Sequence, residues 1–178
     1  KSLIIYMLVR HYLNVINNNI LIIVPTTSLV EQLYKDFKDY GYDVETNVSR
    51  KYHGYDIDEN KRIVISTWQS LYKMPKQFFE DYGAVIGDEA HLFKAVSLTK
   101  IMTKLTDCKY RIGLTGTLDD SKTHKLVLQG LFGTVNRVVS TKQLIDKKQL
   151  AQLKVMCLNL KYPEVESKKV YGVKYFEE

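Results

Sequence analysis

The sequence predicts an α/β fold, a doubly wound and mainly parallel sheet with helices on both faces. Two observations carry the layered part of that reading. Short continuous apolar runs such as "ILIIV" (20–24), "RIVIS" (62–66) and "AVIG" (84–87) suit strands buried on both faces. Between them lie segments with apolar residues at helical spacing. Strands alternating with helices in this way imply right-handed βαβ crossovers.

The elements follow in order. A first helix is expected from Lys1 to about Asn14, because Leu3, Met7, Leu8, Tyr12 and Val15 recur at helical spacing. It stops in the turn-forming "NVINNN". After the strand "ILIIV", the segment "PTTSLVEQLYKDFKDYG" (25–41) opens with proline and hydroxyl caps. It repeats Leu29, Leu33 and Phe37 and ends at Gly41. "DVETNVS" (43–49) alternates weakly and reads as a strand, and 50–61 reads as a polar surface loop. "RIVIS" leads into a short helix at Trp68 to Tyr72. "AVIG" leads into a helix from about Leu92 to Lys104. "YRIGLTGT" (110–117) is a strand running into a hydroxyl-rich turn. A helix near 122–131, the apolar "VNRVVS", a helix near 141–147 and "LKVMCLNL" complete the pattern.

The chain has 178 residues, 45% of them hydrophobic, which suits a globular domain with a sizeable core. No apolar run reaches the ~20 residues of a membrane helix, so no membrane partner is expected; the cytoplasm is the expected location, where two cysteines outside any array suit reduced thiols. The net charge of +6 and pI near 9.1 suit a polyanion partner or plain solubility charge equally. Cys108 and Cys157 lack metal-binding spacing, as do His11, His53, His91 and His124, so zinc is not expected.

In open α/β sheets ligands bind beyond the carboxyl ends of the strands. Four polar clusters sit there: Pro25 to Ser28, Ser66 to Gln69, Gly87 to His91, and Thr115 to Thr117. Asp88 and Glu89 pose the sharpest question, because carboxylates at a buried strand end are expensive without a positive partner. An acid there can hold Mg²⁺ beside a nucleotide's phosphates, and the next residue can deprotonate an attacking water. The alternative is that both simply cap the following helix. Lys1 and Ser2 match only the last two letters of the phosphate loop GxxxxGK[ST], and a helix with an apolar face follows them at once. Without further context they are an ordinary terminal pair.

Taken together, these residues resemble the motifs of superfamily 2 helicases and translocases. DEAH (88–91) resembles motif II, "VPTTSLVEQ" (24–32) motif Ia, "ISTWQSL" (65–71) the segment that follows it, and "GLTGTL" (113–118) motif III. "LFGTV" and "STKQLIDKKQLAQLKV" are similar to the stretch joining the two motor domains in the XPB-like and type III restriction group. The resemblance implies a RecA-like P-loop motor domain over residues 1–160, cut inside its phosphate loop. Residues 161–178 would lead to a second motor domain of the same chain.

What the resemblance implies for single residues is specific. Lys1 would contact the phosphates of ATP, Ser2 and Asp88 the Mg²⁺, and Glu89 the attacking water. His91 would bridge to Thr115 and Thr117, which link nucleotide state to the nucleic-acid track. Pro25, Thr26, Thr27, Ser66 and Thr67 would line that track, where hydroxyls and backbone amides grip phosphates without reading bases. Capping and local hydrogen bonding are the plainer alternatives for His91 and for the hydroxyls. Trp68 reads as core, or as a stacking platform. Arg50, Lys51, Lys61 and Arg62 read as a solvated surface, or as contacts to a duplex backbone. Gly87 replaces the aliphatic residue usual before the acidic pair, which predicts a looser backbone there.

The implied activity is ATP-dependent remodelling of single-stranded and branched DNA in recombination, replication-fork rescue and repair. An RNA helicase would share every motif. A non-catalytic nucleic-acid-binding module that kept the fold is the other alternative. Hydrolysis between two motor domains would leave the fragment alone nearly inactive.

Overall fold

A computed structural model describes residues 1–52, 58, 60–92, 95–116, 122–136, 138–152 and 156–159. The chain forms two compact units, Lys1–Val135 and Asn136–Glu178. The first is built on five strands: β1 (Asn19–Val24), β2 (Val48–Lys51), β3 (Ile63–Thr67), β4 (Tyr82–Asp88) and β5 (Tyr110–Leu114). They pair in parallel in the order β2-β3-β1-β4-β5. The chain leaves central β1 for the β2 edge, returns through β3, then crosses to β4 on the other side of β1. The order therefore reverses at β1, and the crevice rule points to the exits of β1 and β4.

The apolar runs are continuous because each strand feeds two cores. Ile20, Ile22, Val24, Ile63, Ile65 and Ile86 point to one face. There they meet Ile5 and Val9 of α1 (Ser2–Val15) and Val30, Leu33 and Phe37 of α2 (Thr27–Asp39). Leu21, Ile23, Val64 and Val85 point to the other face. Their partners are Leu71 of α4 (Trp68–Tyr72), Leu98, Ile101 and Met102 of α5 (Ala95–Lys104), and Leu128 of α6 (Lys122–Phe132). Burying each Leu, Ile or Phe side chain stabilises the fold by roughly 1.5–3 kcal/mol. Trp68 packs partly buried against this second cluster, which favours its core reading.

Three expectations change. "DVETNVS" is not one strand. Asp43 accepts a hydrogen bond from Thr46 N (3.2 Å) and caps a single helical turn, α3 (Val44–Asn47), so β2 starts only at Val48. Hydrogen bonds from Thr46, its side chain first and then its backbone N–H, hold the Asp43 carboxyl below the usual carboxylate range. The helix expected from Leu92 begins at Ala95, and a 3₁₀ turn over Ala90–Leu92 precedes it. Gly87 is buried and paired on both sides, to Ile23 and to Gly113, so its backbone is held and not loose.

Glycine is required at Gly83. β1 and β4 slip register between Asn19 and Ile20, and a Cβ at Gly83 would lie 2.8 Å from the Cβ of Asn18. At its end, α6 closes with Gly133 at φ 92°. The first compact unit ends at Val135, and "VNRVVS" forms no strand among its described residues. In the second unit, Ser140 and Gln143 form a capping box on α7 (Thr141–Asp146), as the hydroxyl and amide at that spacing favour. Residues 161–178 lie outside the described residues. Among those described, no helix is long and apolar enough to cross a membrane.

Candidate functional site

The register brings four strand exits to one edge. Val24 pairs with Thr67, Ile23 with Gly87, and Asp88 with Leu114, so the polar clusters after β1, β3, β4 and β5 meet there. Asp88 ends β4 and is only 6% exposed. Its Oδ1 accepts the Glu89 amide at 2.9 Å, which fixes the turn. Glu89 then takes φ 49°, a left-handed backbone costing on the order of 1–2 kcal/mol for a residue with a side chain. That strain swings its carboxylate off the strand axis.

The Glu89 carboxylate faces Lys1 and His91. Its Oε1 holds the Lys1 ammonium in an ion pair, and its Oε2 lies 3.4 Å from His91 Nδ1. His91 Nδ1 also lies 2.7 Å from Thr115 Oγ1. Either the ring N–H donates to the threonine oxygen, or the hydroxyl donates to a bare ring nitrogen. Gly116 sits against Lys1, since a Cβ there would lie 3.6 Å from Lys1 Nζ. Lys1, Glu89, His91, Thr115 and Gly116 thus form one continuous chain of contacts from the start of α1 to the exit of β5. The positive partner that the paired carboxylates call for is Lys1.

Ser2 is turned differently. Its Oγ lies 2.9 Å from the Tyr40 hydroxyl at the end of α2, a partner 38 residues away in sequence that no local pattern reveals. Among the described residues, no group of three or more His, Cys, Asp or Glu could hold a metal ion. Asp88 and Ser2 offer oxygen donors, and Mg²⁺ takes one or two protein oxygens with the rest from phosphates and water. The donor set fits that ion.

The track residues divide by burial. Thr26 and Thr27 are exposed and Pro25 is buried. Thr26 Oγ1 accepts Leu29 N at 3.3 Å and caps α2. Ser66 is fully buried, and its hydroxyl donates to Lys51 O at 2.8 Å. Thr67 is 4% exposed, and its hydroxyl caps α4 by accepting Ser70 N at 3.4 Å. Each of the Thr26, Ser66 and Thr67 hydroxyls thus has a partner inside the fold. Thr117 lies outside the described residues. Of the basic residues, Arg50 is paired with Glu31 at 2.7 Å, and Arg62 donates to Ile16 O at 2.7 Å on the opposite edge.

A family described as type III restriction enzyme, res subunit, matches residues 1–120. This chain belongs to that family. The matched span contains every residue of the Lys1–Glu89–His91–Thr115 chain of contacts. A relative, the ATP-dependent DNA helicase UvsW of Enterobacteria phage T4, is 35% identical over 182 residues. The match covers 100% of this chain and 36% of the relative, so the chain spans about a third of that protein. The crystal structure of the T4 UvsW helicase aligns with TM-score 0.67 and 36% identity, over 74% of this chain and 48% of that one. The helicase domain of Pyrococcus furiosus Hef shares the fold at 18% identity, with TM-score 0.68 over 94% of this chain and 39% of that one. The RecA-like sheet read from the sequence is therefore the fold of the family.

Proposed function

We propose that this chain is the first motor domain of an ATP-dependent DNA helicase that remodels branched DNA in recombination, replication-fork rescue and repair. The observation that carries the reading is the contact chain Lys1–Glu89–His91–Thr115. It joins a phosphate-binding lysine to the loop that answers to nucleic acid, through the residue suited to act as base.

The chemistry follows from charge. A triphosphate carries more negative charge than one carboxylate, so it draws the Lys1 ammonium off Glu89. Glu89 then has an oxygen able to take a proton from an attacking water. Binding of ATP thus creates the base, and no base stands idle without a substrate. A magnesium ion held by Asp88 and Ser2 would neutralise charge developing on the phosphates. As Glu89 loses Lys1 and later gains a proton, the electrostatic pull on His91 changes. His91 passes that change to Thr115 through its shared nitrogen. Thr26 and Thr27, with nearby backbone amides, hold the phosphate backbone without reading bases. A second motor domain on the same chain would complete the cycle of closure and release.

Glu89→Gln in the full-length protein tests the reading. ATP turnover is expected to fall by about 10²–10⁴, the usual contribution of a general base, while ATP binding persists. Unchanged turnover would falsify the role of Glu89. Stimulation by branched DNA is expected to exceed stimulation by RNA; the reverse order makes the protein an RNA helicase.

A further inference from the structure

The exit of β2 holds the first turns of α2 in a way the catalytic site does not use. Glu31 lies one turn into α2. Arg50 Nη1 donates to its Oε2 at 2.7 Å, and the Tyr52 hydroxyl donates to its Oε1 at 2.6 Å. The Arg50 guanidinium stacks 4.0 Å from the ring centre of Tyr34, one turn further along α2. On the other side, Gln69 of α4 donates to the Pro25 carbonyl at 3.3 Å. Ser66, fully buried, ties the exit of β3 to the Lys51 carbonyl.

Such a clamp adds little to stability. Both ends of the ion pair are partly exposed, at 25% and 46%, and pairs of this kind contribute about 1 kcal/mol or less. Its geometry is more informative than its energy. Each carboxylate oxygen has its own charge-assisted or phenolic donor, and the cation is stacked on an aromatic face. This fixes direction more than it supplies free energy. The segment it orients is the β1–α2 loop, whose Thr26 and Thr27 are exposed.

We propose that Glu31, Arg50 and Tyr52 are positioning residues for nucleic acid. They set the angle at which the first turn of α2 presents Thr26, Thr27 and its amides to a phosphate backbone, and they do not touch that backbone themselves. The inference rests on the reading of this loop as part of the nucleic-acid track.

The experiment measures binding of a fluorescent single-stranded oligonucleotide to the full-length protein at several salt concentrations, with ATPase titrations beside it. Thr27→Glu tests the loop itself, since an acid in the first turn suits the helix but repels phosphate. It is expected to weaken binding about tenfold or more. Glu31→Gln is expected to weaken binding about fivefold. The salt slope should stay unchanged, because no phosphate contact is lost. The DNA concentration for half-maximal ATPase should rise in proportion, with kcat at saturating DNA and KM for ATP unmoved. Arg50→Lys, which keeps the charge but loses the fork, is expected to fall between the parent and Glu31→Gln.

No effect of Thr27→Glu removes the underlying loop reading. A Thr27→Glu loss with unchanged Glu31→Gln affinity overturns the positioning proposal alone. Tighter binding by Glu31→Gln, or a salt slope lowered by about one in the charge-removing Arg50→Gln, makes Arg50 a direct phosphate contact and also overturns it.

Discussion

The two edges of the sheet carry similar residues and use them differently. At the amino edge, Arg62 Nη2 donates to the Ile16 and Asn18 carbonyls at 2.7 and 3.3 Å. Arg111, at the start of β5, donates to the Leu105 and Cys108 carbonyls at 2.6 and 3.2 Å. At the carboxyl edge, Lys1, Glu89, His91 and Thr115 meet side chain to side chain. A backbone carbonyl is fixed by the fold, so a cation bound to it ties the structure. Side-chain partners can be exchanged for a ligand's atoms. The amino edge is built to stay, and the carboxyl edge is built to change partners.

That contrast can be broken in two ways. Glu89→Gln is the larger test: turnover should fall by orders of magnitude, yet the melting temperature should move little. Its carboxylate is partly exposed and its backbone is already strained, so little folding free energy rests on it. Gly83→Ala is the complementary test at the amino edge. The added methyl would sit 2.8 Å from the Asn18 Cβ, and overpacking of this kind costs about 1–3 kcal/mol. Thermal unfolding should shift down by several degrees, with ATP turnover per folded molecule retained below the transition. A Gly83→Ala protein that is stable but slow would erase the distinction between the edges.

Thr115→Val probes the carboxyl edge more finely. It keeps shape and removes the hydroxyl facing His91 Nδ1. One neutral hydrogen bond is worth about 1 kcal/mol, or about fivefold in an equilibrium. Stimulation of ATPase by DNA is expected to fall by about that factor, with weaker effect on the rate without DNA. Equal losses in both rates would place Thr115 in structure and not in coupling.

How much of this was legible in the sequence depends on distance along the chain. β1, β3 and β4 were readable because strands buried on both faces leave unbroken apolar runs. The short helix at Trp68–Tyr72 was read to the residue, since Thr67 caps it at the end of such a run. Asp88, Glu89 and His91 were readable because polar residues at a buried strand exit demand a partner. Lys1 was expected from motif order to meet nucleotide phosphates, and its ion pair with Glu89 left no signal in the sequence. By contrast, the Asp43 cap that turns "DVETNVS" into helix then strand involves one side-chain bond and no change in apolar spacing. The Ser2–Tyr40 and Glu31–Arg50–Tyr52 contacts join residues on different elements. Only the packing of α2 on the sheet and on α1 creates them.

The smallest expected effect sharpens the amino edge. Cys108 lies just before β5, is 4% exposed, and its Sγ donates to the Tyr110 carbonyl at 3.4 Å. Burial pushes its thiol up to about 11 from an ordinary 9.0, against the pull of nearby Arg111. Because the folded value is raised, this thiol's contribution to stability is complete below about pH 9. It is lost as pH rises through about 11. Urea unfolding of the parent and of Cys108→Ala at about pH 8 and about pH 10.5 should show a stability gap that narrows at the higher pH. At neutral pH a thiol reagent should modify exposed Cys157 quickly and Cys108 only after unfolding. A gap that stays constant with pH would mean that the thiol titrates alike in both states. Cys108 would then count as a volume filler at this edge, and its carbonyl partner would contribute nothing to holding the proton.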